Sequence, residues 1–118
     1  MITCKLNDEN TVELDMEGEV TATDYESIMP QIKQYFEKHG RMKFLIILNE
    51  IQSFSLGAVL KDISFDFKNL KNIGTTAIVG DQKSQNILAS MINTFFPAEV
   101  KFFKNSGEAI NWLESYRS

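Results

Sequence analysis

The sequence predicts an α/β fold in which a β-hairpin is followed by alternating strands and helices, in the order β-β-α-β-α-β-α-β-α. Residues 2–6 and 11–17 alternate between apolar and polar side chains, which is typical of half-buried strands. Three later candidate strands, at residues 44–48, 75–79 and 100–103, are each followed by apolar residues at helical spacing. This alternation favours a mostly parallel five-stranded sheet with four helices and right-handed crossovers, in a single domain over residues 1–118.

The hairpin is joined by the polar residues 7–10, which form a turn, and Gly18 is expected to close the strand pair. Cys4 should face the core together with the other apolar side chains of the hairpin, which are Ile2, Leu6, Val12, Leu14 and Met16.

The first helix has a start signal and a stop signal. Thr23 and Glu26 form a capping box at its start, and His39 and Gly40 end it with a cation followed by a glycine. Pro30 lies inside the helix and removes a backbone donor, so a kink or a short break is expected there. The apolar stripe consists of Ile28, Met29, Ile32, Tyr35 and Phe36.

The central strand is predicted at residues 44–48, an unbroken apolar run of the kind found in strands that are covered on both faces. Residues 49–55 are interpreted as a polar, serine-containing turn after it. This turn would lie at the carboxyl end of the strand, where open α/β sheets usually place ligands. A second helix follows, with its apolar face at Leu56, Leu60, Ile63, Phe67 and Leu70.

The remaining elements repeat the alternation. Strand 75–79 leads through Gly80 and Asp81 into a third helix, which Pro97 ends. A short strand at residues 100–103 precedes a fourth helix capped by Ser106. The apolar residues of these two helices are Ile87, Leu88, Met91, Ile92 and Phe95, then Ala109, Ile110, Trp112, Leu113 and Tyr116.

Composition excludes several classes of protein. The net charge of −4 opposes binding to nucleic acid. No apolar run approaches the roughly 18 residues of a membrane-spanning helix, and no signal peptide is recognisable. The single cysteine, Cys4, excludes an internal disulfide and fits a reducing compartment, so a cytoplasmic protein is expected.

Patterns for catalysis and metal binding are weak. The one histidine, His39, is interpreted as a charge partner for a helix end, and the one thiol, Cys4, as packing. Asp62 and Asp66 are four residues apart on a helix, but no third ligand has matching spacing, which favours a solvated face. Neither enzyme activity, nor a metal, nor a cofactor is predicted.

Two stretches remain as candidate functional sites. In the turn after the central strand, Ser55 could cap the second helix, and a phosphate on it would be stabilised by free backbone N–H groups; the two roles are compatible. The second stretch is a surplus of apolar residues on the second and third helices, which is either core or the wall of a pocket for an acyl chain. The candidate ligand-binding residues are Phe54, Val59, Leu60, Ile63, Phe67, Ile87, Met91 and Phe95.

Over its whole length the chain resembles the SpoIIAA-like proteins, bacterial relatives of the STAS domains. The matching pieces are Asp24-Tyr25, the stretch LIILNEIQSFSLG at 45–57, AIVGD at 77–81, and VKFF and EAINWL between residues 100 and 113. The resemblance implies a sheet in sequential strand order, a βα superhelix shared with the lipid-carrying CRAL-TRIO domains.

For function, the resemblance implies two hypotheses. The main one is a non-enzymatic domain that binds a small apolar or lipid-like molecule between the second and third helices and the sheet, with peripheral membrane contact through movable helices. The alternative is an anti-anti-sigma-type module that binds a protein partner and is switched at Ser55, because STAS anti-anti-sigma factors carry a phosphorylatable serine in this turn. The edge strand 2–6, guarded by Lys5 alone, is in addition a candidate for pairing across a homodimer.

Overall fold

A five-stranded sheet forms the centre of the molecule. The structure is a computed structural model, and it describes residues 1–8, 10–55, 73–86 and 99–115. The strands are β1 (Ile2–Asp8), β2 (Thr11–Thr21), β3 (Met42–Ser55), β4 (Ile73–Val79) and β5 (Val100–Phe103), and they lie in sequential order across the sheet. The described helices are α1 (Ala22–His39), α2 (Ser106–Glu114) and a segment at 82–86.

The sheet is mixed, which replaces the prediction of a mostly parallel one. β1 runs antiparallel to β2, because a hairpin joins them, whereas β2, β3, β4 and β5 are parallel to their neighbours. The register places Cys4 opposite Leu14 and β3 residue Phe44 beside Val12. All parallel strands therefore end at the same edge of the sheet, and that edge carries the candidate site.

Each face of the sheet is covered by a different described helix. α1 packs on the face that carries Val12, Leu14, Ile46 and Ile78, and the half-buried Cys4 packs against this core as predicted. α2 packs on the other face, where Ala109 and Leu113 contact a second cluster. The second cluster consists of Leu45, Ala77, Val79, Ala109 and Leu113, with Ile47, Phe103, Ile110 and Trp112 at its margin.

The beginning of α1 differs from the sequence prediction, but its end does not. Thr21, rather than Thr23, caps the helix, and Asp24 completes the capping box. The helix continues through Pro30, so the predicted break does not occur; the Pro30 side chain is exposed, on the side of the helix away from the core. Gly40 ends the helix with φ +76°, a conformation that glycine adopts without strain.

The later elements are described in part. The predicted second helix lies outside the described residues, and so does the part of the predicted third helix beyond residue 86. The start of the third helix agrees with the prediction, because Asp81 Oδ1 accepts a hydrogen bond of 2.7 Å from the backbone N–H of Ser84. Four helices are therefore not confirmed. The cap of α2 is Asn105, not Ser106, since Asn105 Oδ1 accepts from the N–H of Glu108 at 2.9 Å. Among the described helices, none is long and apolar enough to span a membrane.

Candidate functional site at the carboxyl end of β3

The stretch predicted as a turn after the central strand is part of the strand. β3 runs to Ser55, and its last residues pair with β2, Glu19 with Ser53 and Thr21 with Ser55. We call residues 49–55 the β3 extension. The prediction of a turn at 49–55 is wrong because β2 does not stop at Gly18: it continues to Thr21 and provides the extension with hydrogen-bonding partners.

A bulge allows the pairing to continue. Glu17 is opposite Asn49 and Glu19 is opposite Ser53, so a single β2 residue, Gly18, faces three residues of β3. The backbone takes up this mismatch with two left-handed residues, Gly18 at φ +64° and Glu50 at φ +49°. Left-handed backbone is easy for glycine and costs other residues energy, and such strain concentrates at functional sites.

The extension is anchored by one side chain and exposes several others. Ile51 is only 3% exposed and belongs to the core on the α1 side of the sheet. Asn49, Glu50 and Gln52 are exposed, and Ser53 is half-buried. A backbone that is anchored in the core at Ile51 therefore presents polar side chains to solvent.

The end of the extension lies beside the start of α1. Ser55 pairs with Thr21, and Thr21 exchanges hydrogen bonds with Asp24: Thr21 N donates to Asp24 Oδ2 at 3.0 Å, and Asp24 N donates to Thr21 Oγ1 at 3.2 Å. The N-terminal ammonium of Met1 lies 3.3 Å from the same carboxylate oxygen. The backbone bond from Thr21 is the main cause that lowers the pKa of Asp24 below its ordinary value, so this carboxylate is charged at neutral pH.

Among the described residues, several exposed side chains around the extension are acidic. Glu17, Glu19 and Glu50 are exposed around the bulge, and Asp24 lies at the adjacent helix start. Among the described residues, no group of three or more His, Cys, Asp and Glu side chains could hold a metal ion. The surface is therefore suited to electrostatic contact with a basic partner.

The residues that could support nucleophilic chemistry are not near one another. Cys4 is on the edge strand β1, and burial raises the pKa of its thiol to about 11, which keeps it in the unreactive neutral form. His39 is in the last turn of α1, at the opposite end of that helix from Thr21. The described structure thus does not bring the thiol of Cys4 and the imidazole of His39 together.

Most of the predicted ligand-binding residues cannot be placed. Phe54 belongs to β3, with its backbone beside Val20. The other members of the set lie outside the described residues: Val59, Leu60, Ile63, Phe67, Ile87, Met91 and Phe95. An apolar pocket between the second and third helices stays a prediction, as does contact with a membrane surface, and no finding favours either.

Sequence reasoning missed the part of the site contributed by β2. Glu19, Val20 and Thr21 continue the alternation of β2 beyond Gly18, and Val20 is fully buried. The prediction that Gly18 ends the strand left this alternation out. A glycine inside an alternating run can instead indicate a bulge, after which the strand continues. Thr21 and Asp24 are likewise three residues apart, as a capping box requires, and so are the neighbouring Thr23 and Glu26.

Comparison with known proteins gives consistent results. A family model described as SpoIIAA-like matches residues 11–114. Comparison with curated protein sequences finds no match. Among solved structures, an uncharacterised protein from Shewanella loihica PV-4, of a DUF3478 family with a SpoIIAA-like fold, is 26% identical at a TM-score of 0.72, covering 96% of this chain and 92% of its own.

Two further solved structures share the fold at lower identity. The anti-sigma factor antagonist SpoIIAA in its unphosphorylated form is 11% identical, with a TM-score of 0.66 and full coverage of both chains. The Bacillus cell fate determinant SpoIIAA in its phosphorylated form is 13% identical, with a TM-score of 0.58, covering 96% of this chain and 99% of its own. Likeness at this identity establishes the architecture.

Proposed function

Because the chain belongs to the SpoIIAA-like family, we propose that it is a non-enzymatic regulatory module that binds a protein partner through the β3 extension. The observation that carries the proposal is the geometry of this extension. Its backbone is held by the buried Ile51 and by pairing with β2, while Asn49, Glu50 and Gln52 are exposed. A surface with a preformed backbone loses little conformational entropy on binding.

The structural neighbours support this class of function. One of them is an anti-sigma factor antagonist, and another was solved in a phosphorylated form. Antagonism of another protein is exerted by contact, which needs a surface and no catalytic group. The separation of Cys4 from His39 in this chain agrees with such a role.

The charge of the extension indicates what kind of partner it would bind. The exposed acidic side chains in and beside the extension are Glu17, Glu19 and Glu50. A basic surface on the partner would complement their charge. Attraction of this kind raises association rates and is weakened by salt. We therefore expect the partner to present lysine or arginine side chains at the contact.

Ser55 is the proposed switch. Its backbone pairs with Thr21, whose N–H holds the Asp24 carboxylate. A phosphoserine carries a charge of about −1.5 to −2, and beside acidic groups such a charge disrupts by repulsion. Phosphorylation at Ser55 should thus loosen the pairing of Thr21 with Ser55, deform the extension and release the partner.

The test uses the whole chain as bait in an extract of its own host, with bound proteins quantified by mass spectrometry. A single specific partner should be enriched by the wild-type protein and by Ser55→Ala, and lost with Ser55→Asp and with Glu50→Lys. Glu114→Lys is the matched control, because it makes the same change of charge at an exposed position of α2. Equal recovery with Glu50→Lys and with the wild-type protein would contradict binding at the extension.

The site of action that we propose is the cytoplasm, since Cys4 is the only cysteine and stays a free thiol. Contact with a lipid-like molecule or with a membrane is not part of the proposal.

A further inference from the structure

The outer edge of β1 is the feature that the proposed function leaves unexplained. β1 is the terminal strand of the sheet, with β2 as its neighbour. Met1 and Glu17 exchange both backbone hydrogen bonds, Glu17 N to Met1 O and Met1 N to Glu17 O, each at 2.9 Å. In an antiparallel pair this pattern alternates, so Thr3 and Lys5 also face β2 with their backbone groups. The backbone N–H and C=O groups of Ile2, Cys4 and Leu6 therefore point outward.

We propose that β1 of two copies of this chain pairs in antiparallel fashion along this edge, across a two-fold axis at Cys4. In that register Cys4 lies opposite Cys4 of the second copy, and Ile2 lies opposite its Leu6. All three outward-facing residues of each copy are then used, which gives about six backbone hydrogen bonds between the copies. The result is one continuous sheet through both molecules.

Exposed apolar surface favours this register. Met1 and Leu6, 57% and 38% exposed, are the exposed large apolar side chains among the described residues; Met1 directly precedes β1, and Leu6 lies within it. On the α1 side of the sheet, Ile2 of one copy would cover Leu6 of the other. An axis at Ile2 would leave Leu6 beyond the paired residues. An axis at Leu6 would cover Leu6, but it would place Ile2 opposite residue 10, which lies beyond the end of β1, and would form fewer backbone hydrogen bonds.

Charge complementarity favours the same register and identifies a second copy as the occupant. On the other face of the sheet, Lys5 is 65% exposed in its side chain and contacts its own Glu13 at 3.2 Å. With the axis at Cys4, Lys5 comes opposite Thr3 of the second copy, and Thr3 is next to Asp15 of that copy. Each ammonium group is thus placed between carboxylates of both chains. An axis at Lys5 would instead put two lysines opposite each other, which is destabilising.

In the monomer, Gln31 of α1 occupies one of the hydrogen-bonding groups of this edge. Its Nε2 donates to the carbonyl oxygen of Cys4 at 3.2 Å, the one hydrogen bond from another element to this edge in the described part of the chain. In the dimer that carbonyl accepts instead from the N–H of Cys4 of the second copy. Gln31 also contacts the Tyr35 hydroxyl, so it keeps a partner when it releases Cys4. Removing the Gln31 amide should therefore favour dimerisation.

Sedimentation velocity across roughly 5 to 500 µM, a range that brackets micromolar to sub-millimolar association, tests the proposal. We expect a monomer–dimer equilibrium for the wild-type protein. Leu6→Lys should weaken it about tenfold or more, because it places a charge against the apolar Ile2 side chain, and Gln31→Ala should tighten it. Asn111→Lys, which adds the same charge on α2, should match the wild type.

Two results would overturn the proposal. One is a monomer at every concentration for both the wild-type protein and Gln31→Ala. The other is a dimer that Leu6→Lys does not weaken, with far-ultraviolet circular dichroism showing that the variant is folded. Partner capture is tested separately, because Glu50 and Ser55 lie on β3, which β2 separates from β1 in the sheet.

Discussion

Replacing Gly18 by alanine tests the bulge that shapes the proposed binding surface. Gly18 has φ +64°, and a Cβ added there would meet no atom within 4 Å. The cost is therefore conformational, with no steric clash, and left-handed backbone costs an L-residue about 1 to 2 kcal/mol. The free energy of unfolding should fall by that amount.

The matched control is the same substitution at Gly107, in the first turn of α2. This residue is not left-handed, and a Cβ there would make an ordinary contact of 3.5 Å with Asn105 Oδ1. Alanine reduces the conformational freedom of the unfolded chain, so Gly107→Ala should stabilise the protein by about 0.5 to 1 kcal/mol. Both substitutions replace glycine by alanine, yet they should change the free energy of unfolding in opposite directions.

Equilibrium urea unfolding, followed by circular dichroism, measures both changes. With a slope of about 1.5 kcal/mol/M for a domain of this size, the midpoint should fall by about 1 M for Gly18→Ala and rise by about 0.5 M for Gly107→Ala. If Gly18→Ala left the midpoint unchanged or raised it, Gly18 would not be left-handed, and the bulge between β2 and the β3 extension would be wrong.

Three further predictions concern single side chains. Thr21→Ala should lower the free energy of unfolding by about 1 kcal/mol in urea titrations, because it removes the cap of α1. Burial, and then a hydrogen bond with Glu13, raises the pKa of Asp15 from 3.8 to about 6. The folded protein thus binds a proton that the unfolded chain releases, and unfolding free energy should fall as the pH rises from about 4 to 6, less steeply in Asp15→Asn. Cys4, with a pKa of about 11, should react with a disulfide reagent at pH 8 about tenfold or more slowly in the folded than in the unfolded protein.

Each of these predictions has a control and a contradicting outcome. Thr23→Ala should change stability by less than about 0.5 kcal/mol, since Thr23 is exposed and does not cap the helix; a larger loss there than at Thr21 would restore the cap predicted from the sequence. If the free energy of unfolding depended on pH equally in the wild-type protein and in Asp15→Asn, the pKa of Asp15 would not be raised by burial and by its hydrogen bond with Glu13. Equal thiol reactivity in both states would mean that Cys4 is not buried against the core.

Local sequence patterns were sufficient to predict the elements whose signals are local. The apolar run at 44–48, the alternation at 2–6 and the strand at 100–103 all lie in described strands. Gly40 ends α1 and Asp81 begins the next helical segment, because caps depend on a few consecutive residues. The family resemblance, carried by several short stretches in the correct order, was confirmed over residues 11–114.

The tertiary structure decided where strands end and which cap is used. A polar stretch such as 49–55 has turn-like composition, yet it stays in the sheet because β2 extends alongside it and Ile51 is buried in the core. Two cap patterns overlap at residues 21–26, and only the pairing of Thr21 with Ser55 sets the point at which the chain leaves the sheet. Composition and periodicity describe a residue and its near neighbours along the chain, whereas hydrogen-bonding partners in a parallel sheet are distant in sequence. For that reason the sequence by itself determined the order of the elements, and the packed sheet determined the shape of the candidate site.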